Sequence, residues 1–137
     1  IQAAMPELPE VETVRRALAP VMQGCRIAAV QAGAKGLRTP FARDFKRRLT
    51  GAKVLSCGRR AKYLLIGLDT GDTLVLHLGM SGRVTITGPD KPYKKGRHDH
   101  LILTLDEGSR VVMNDPRRFG MAFIEPAARL GDHPAFR

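Results

Sequence analysis

From Lys53 onward, short runs of β-forming residues alternate with turn signals, and few folds accommodate that rhythm. The runs are Lys53–Cys57, Tyr63–Leu68, Thr73–Leu78, Arg83–Thr87, Leu101–Leu105, Arg110–Met113 and Met121–Glu125. Between them sit Asp69-Thr70-Gly71-Asp72, Gly79 with Gly82, and Asp106-Glu107-Gly108. Glycine and aspartate serve tight turns, and short strands at this spacing predict a β-sandwich or barrel. Gly88–Arg97 (GPDKPYKKGR) is read as a basic, mobile loop.

The N-terminal part reads differently. Val11, Val14, Leu18 and Val21 follow helical spacing, predicting a helix over Pro9–Met22. Pro9 suits a first helical turn, Pro20 is expected to kink or fray the end, and Gly24 to stop it. Arg26–Gln31 alternates weakly as a strand, and Gly33–Pro40 is a flexible basic loop. Phe41–Leu49 is a second short helix with Phe41, Phe45 and Leu49 on one side.

The chain has 137 residues, which suits one domain, and 43% of them are hydrophobic, enough for a buried core. Lys and Arg number 23 against 13 acids, a formal charge of +10. Such a domain favours a polyanion, with nucleic acid first and an anionic membrane surface second. The second choice lacks a basic amphipathic helix with bulky apolar anchors. No apolar run approaches the length of a membrane span, and the N-terminus lacks a secretory pattern. Cys25 and Cys57 fit no metal spacing and read as reduced thiols of a cytosolic protein.

Against this positive charge, MPELPEVE (Met5–Glu12) crowds Glu7, Glu10 and Glu12 together. Carboxylates at a helix start complement its positive end, which is one sufficient reason for them. Further stretches exceed what turns require: RRAKYLL (Arg59–Leu65), HLGMSG (His77–Gly82), RHDH (Arg97–His100) and NDPRRFG (Asn114–Gly120). Each also has a plain structural reading. RRAK serves as a charged sheet edge that discourages pairing. Met80 and Phe119 serve as core, and Asp115-Pro116 as an ordinary turn opener. His98 and His100 point to opposite faces of an extended segment, which argues against a shared metal.

Taken together and in this order, MPELPEVE, RRAKYLL, HLGMSG, HDH and DPRRFG resemble bacterial formamidopyrimidine-DNA glycosylase, a base-excision repair family for oxidised purines. The resemblance runs from Met5 to near the end of the chain. It implies an α+β, mainly β fold: a two-layer antiparallel β-sandwich flanked by two α-helices. It implies that Pro6 supplies the amine nucleophile that forms a Schiff base at the sugar C1′, and that Glu7 is the general acid. Glu10 would brace that site, and Lys62 would contact DNA and donate a proton in strand cleavage by β-elimination. Met80, Arg117 and Phe119 match the residues inserted where a base is extruded, while His77 and His98 resemble phosphate or backbone contacts. The partner implied is damaged double-stranded DNA, bound by a monomer in the bacterial cytoplasm, in association with the nucleoid.

Two departures shape the expectation. Pro6 is preceded by Ile1–Met5, so its nitrogen is an amide, and Ile1–Ala4 are expected to be a leftover of a tag or of processing. The family is also about twice this long. Its second half carries a helix–two-turn–helix module and a zinc finger, so zinc is expected only there and no cofactor in this chain. Residues 5–137 are then expected to be the isolated N-terminal catalytic domain, itself inactive as it stands. The competing readings are a DNA-binding module without catalysis and a basic sandwich for another anion or a protein.

Overall fold

The computed structural model describes residues 8–132. Pro6, Glu7 and the expected leftover at residues 1–4 lie outside the described residues. The elements are α1 (Leu8–Met22), β1 (Ile27–Ala32), α2 (Phe45–Leu49), β2 (Val54–Arg60), β3 (Tyr63–Leu68), β4 (Asp72–His77), β5 (Arg83–Thr87), β6 (Asp99–Leu105), β7 (Arg110–Asn114) and β8 (Met121–Pro126). A 3-10 helix, Ala127–Asp132, follows. The strands form two four-stranded sheets, ordered β1-β6-β7-β5 and β2-β3-β4-β8. Every pairing is antiparallel. The sandwich alternative therefore holds over the barrel, and the mainly β class with flanking helices is observed.

Period-two burial explains why the strands were readable. Leu64, Ile66 and Leu68 of β3 are buried while their neighbours are half-exposed. They meet Leu74 and Leu76 of β4 and Leu101, Leu103, Leu105, Val111 and Met113 of the other sheet in one core cluster. Each such side chain contributes about 1.5–3 kcal/mol by leaving water. Val11, Leu18 and Met22 of α1 and Phe45 and Leu49 of α2 join the same cluster. The helices thus extend the sandwich core, α1 against β2 and β3 and α2 against β1.

α1 ends at Met22 as expected, two residues past Pro20. Its missing N–H falls near the end of the helix, and Gly24, at φ +88°, makes the actual stop. The second helix is shorter than Phe41–Leu49. Phe41 folds back to lie 4.8 Å from the Phe45 ring, and the Phe45 N–H bonds the Ala42 carbonyl as a turn. Arg48 ties α2 to β4 through a two-pronged pair with Asp72 at 2.9 and 3.1 Å.

Glu12 gives the acidic front a structural role besides helix-end compensation. Its carboxylate accepts from Arg15 at 2.7 Å, Arg16 at 2.9 Å and, across to β2, Arg59 at 3.0 Å. Hydrogen bonds from Arg15, Arg59 and Arg16 hold its carboxyl well below the usual range. Because Gly24 bonds Val54 at the beginning of β2, α1 runs with its start at the Arg59–Tyr63 hairpin end.

Candidate nucleic-acid interface

Topology brings two glycine-bearing loops side by side. Residues 78–82 leave β4 in one sheet and enter β5 in the other. Residues 115–120 leave β7 and return to β8. Since His77 pairs with Met121 and Arg83 with Asn114, both crossings occur at the same end of the sandwich. The backbones nearly touch. A Cβ on Gly79 would lie 2.5 Å from the Phe119 carbonyl carbon, and one on Gly120 would lie 2.6 Å from the His77 carbonyl oxygen.

This end of the molecule holds a cavity of about 520 Å³ lined by Arg38, His77, Gly79, Met80, Arg118 and Phe119. Phe119 is 42% exposed, unusual for a phenyl ring, and the Arg117 guanidinium lies 4.6 Å from its centroid. A projecting apolar group beside cations suits a surface that meets both stacked bases and phosphates. His77, Met80 and Phe119 therefore line one cavity, and Arg117 lies against Phe119. Lys62 joins them at the β2–β3 turn, where Ala61 adopts φ +51°, because Tyr63 pairs with His77. Glu10 sits exposed in the first turn of α1, at this same hairpin end.

His77 is held neutral. Its Nδ1 accepts the Gly79 N–H at 3.0 Å, and its ring lies 4.7 Å from that of Tyr63. Burial, followed by the charges of Lys62 and Arg38, lowers its pKa. Protonation would remove the acceptor that the Gly79 N–H requires. A depressed imidazole pKa stabilises the fold fully above the unfolded value of 6.5, and this is lost as pH falls through the folded value. We expect the melting temperature to drop on acidification from pH 7 to 5, and His77→Gln to flatten that dependence.

Asp115 is not a simple turn opener. It is 0% exposed, and its carboxylate is met from both loops. The Ser81 hydroxyl donates to Oδ1 at 2.6 Å, the Arg118 N–H to Oδ1 at 3.2 Å, and the Gly120 N–H to Oδ2 at 2.8 Å. Ser81 Oγ in turn accepts the Arg117 N–H at 3.2 Å. Arg118, at φ +58°, reaches further and donates to the Gly36 carbonyl at 2.6 Å. The Arg38 N–H bonds the Gly120 carbonyl, and Leu37 is buried. The Gly33–Pro40 segment, expected as a flexible loop, is thus packed onto the site, and Arg38 is a lining residue that sequence reading passed over.

His98 precedes β6 and lies beside this clamp: its carbonyl accepts the Asp115 N–H at 3.0 Å. The rings of His98 and His100 approach to 6.1 Å, which overturns the expectation of opposite faces: residues two apart in an extended segment share a face. Asp99 between them is the buried anchor. It accepts from the Gly96 N–H at 2.6 Å, the Tyr93 hydroxyl at 2.7 Å and Asn114 at 2.8 Å. Burial opposes its ionisation, but hydrogen bonds from Asn114, Tyr93 and Gly96 outweigh that and lower its pKa. The Gly88–Arg97 loop, expected to be mobile, is fastened at its centre by these bonds.

The family model for the formamidopyrimidine-DNA glycosylase N-terminal domain matches residues 5–122. The chain belongs to that family. Among its glycosylase relatives, that of Methylocella silvestris is 54% identical over 142 residues, which cover 97% of this chain and 49% of the relative. The Caulobacter sp. strain K31 formamidopyrimidine-DNA glycosylase is 47% identical, with 96% and 50% covered. The chain spans about half the length of the curated relatives it matches. Its fold is similar to that of Lactococcus lactis formamidopyrimidine-DNA glycosylase non-covalently bound to AP-site DNA. That match has a TM-score of 0.79 and 32% identity over 91% of this chain and 47% of that one. A further structure of the L. lactis glycosylase, with Fapy-dG DNA, matches at TM-score 0.79 and 33% identity over 90% and 46%.

Proposed function

We propose that this chain contributes the N-terminal catalytic domain of a base-excision repair DNA glycosylase and AP lyase that removes oxidised purines, including 8-oxoguanine and formamidopyrimidines. The observation that carries the reading is the cleft between the crossing loops. There Met80 and Phe119 line one cavity and the Arg117 guanidinium lies over the Phe119 ring. A base within a duplex is inaccessible to an enzyme until it is extruded. Met80 and Phe119 are then the wedges that fill the gap, and Arg117 donates to the orphaned cytosine. His77, His98 and Lys62 hold the DNA backbone.

In this reading Pro6, with a free secondary amine, attacks the sugar C1′. The C1′–N bond to the damaged base breaks, the base leaves with its electron pair and takes up a proton, and an iminium links the sugar to Pro6. Glu7 protonates the opening sugar oxygen, Glu10 braces the helix start, and Lys62 serves proton transfer in the β-elimination that cleaves the strand. An α-amine titrates near pH 8, so a useful fraction is unprotonated at neutral pH. In the present sequence Met5 acylates that nitrogen. This favours, as a second reading, binding without catalysis by the chain as it stands.

Fluorescence anisotropy on a duplex with an abasic site tests the interface. Affinity is expected to fall steeply with added salt, as counterion release requires. Replacing both Met80 and Phe119 by Ala is expected to lower affinity for the abasic duplex about tenfold while leaving the salt slope intact, since stacked side chains contribute about 1–3 kcal/mol. Salt-indifferent binding, or a double variant that binds as tightly as the parent, would remove the interface from this cleft.

A further inference from the structure

We infer that Ser81 and Asp115 are positioning residues that set the aim of Arg117, and with it the choice of base opposite the lesion. The inference rests on the DNA-binding reading above. Arg117 itself is exposed, and its side chain lies along Phe119. Its backbone is fixed by a short relay: the Arg117 N–H donates to Ser81 Oγ, and the Ser81 hydroxyl donates to Asp115 Oδ1. Each proton has one direction available. A backbone N–H only donates, so Ser81 Oγ accepts from Arg117 and the serine hydroxyl hydrogen is left to point toward Asp115 Oδ1. The other carboxylate oxygen takes the Gly120 N–H, just past Phe119. Asp115 thus grips the 115–120 loop on both sides of Arg117 and Phe119.

Ser81 follows Met80 directly. The relay therefore joins the residue after one wedge to the backbone of the residue that faces the orphaned base. The backbone from which the Arg117 side chain springs is thereby fixed, and that side chain rests on Phe119 of the same loop. An arginine displaced from this position retains its charge, so attraction to DNA in general should survive. Recognition of a particular base edge, which depends on donor geometry, should not.

The test uses anisotropy titration of the chain and of Ser81→Ala, Ser81→Thr and Asp115→Asn on abasic duplexes with cytosine or adenine opposite the site. Exchange of the Arg117 amide is followed in parallel. The parent is expected to prefer cytosine. Ser81→Ala is expected to lose about tenfold of that preference, the scale of one net hydrogen bond. Its affinity for undamaged duplex should stay within about twofold. Its Arg117 amide should exchange about tenfold faster, with β6 and β7 unchanged. Ser81→Thr keeps the hydroxyl and should restore both readouts. Asp115→Asn should follow Ser81→Ala, but its amide must present a donor to one loop, so its melting temperature is read beside it.

Undiminished cytosine preference in Ser81→Ala, or failure of Ser81→Thr to restore it, would overturn the relay. So would a parent chain that binds abasic duplex without preferring cytosine. A parent that binds no DNA would overturn the interface as well, so the two failures are separable.

Discussion

Restarted at Pro6, this chain is expected to be captured by borohydride on duplex DNA carrying an abasic site, whereas the same chain preceded by Ile1–Met5 is expected to give no adduct. The difference is electronic. In the full sequence Pro6 carries an acyl group, and its lone pair is delocalised into the Met5 carbonyl. With Met5 removed, the same nitrogen becomes a secondary amine that titrates near pH 8. The Ile1 amine is a poor replacement. Five residue steps can displace it by roughly 17 Å when extended, and attack at C1′ demands contact distance. An adduct with both chains would mean that another amine is competent. Lys62, in the β2–β3 hairpin turn, would be the first to substitute, and the blocked-proline account would be wrong. An adduct with neither would remove Pro6 as the nucleophile of this domain.

Gly79→Ala is expected to cost about 3 kcal/mol and lower the melting temperature by roughly 10 °C. Gly79 has φ +63°, where an alanine is strained by about 1–2 kcal/mol. Its added Cβ would also meet the Phe119 carbonyl carbon at 2.5 Å, the Gly120 nitrogen at 2.6 Å and the Phe119 oxygen at 2.7 Å. All are backbone atoms and cannot rotate away, so the two loops must part, at a further cost of about 1–3 kcal/mol. Gly71→Ala separates the two contributions. Gly71 has φ +91° and nothing within 4 Å of its would-be Cβ, so only the conformational part applies, about 1–2 kcal/mol. Equal losses in thermal melts of the two variants would mean the loops do not depend on that contact.

β3 and α1 were legible because one face of each meets the core: Leu64, Ile66 and Leu68, and Val11 and Leu18, write their period directly into the sequence. β4, β6 and β7 are buried on both faces and were legible as short apolar runs between turn signals. The sheet order was not. Nothing local tells β1 to pair with β6, since that partnership is decided by which apolar faces close the core together. Within the candidate site, Met80 and Phe119 were conspicuous as apolar residues in glycine-rich turns, and the resemblance supplied their roles. Asp115 was not legible. An aspartate before proline is an ordinary turn residue, and what distinguishes this one is a hydroxyl 34 positions away. Tyr93 and Asp99 mislead in the same manner. A stretch of lysines, glycines and prolines reads as loose, and only the folded chain brings the phenol onto the buried carboxylate.

The crossing loops also divide labour between kinds of atoms. Their contact is made by main chain, the serine hydroxyl and the buried carboxylate, while Met80 and Phe119 line the cavity and Arg117 lies against Phe119. Interlocking and reading are therefore separable tasks. On the DNA-binding reading, varying those three side chains should alter what the cleft offers to DNA and leave this frame intact.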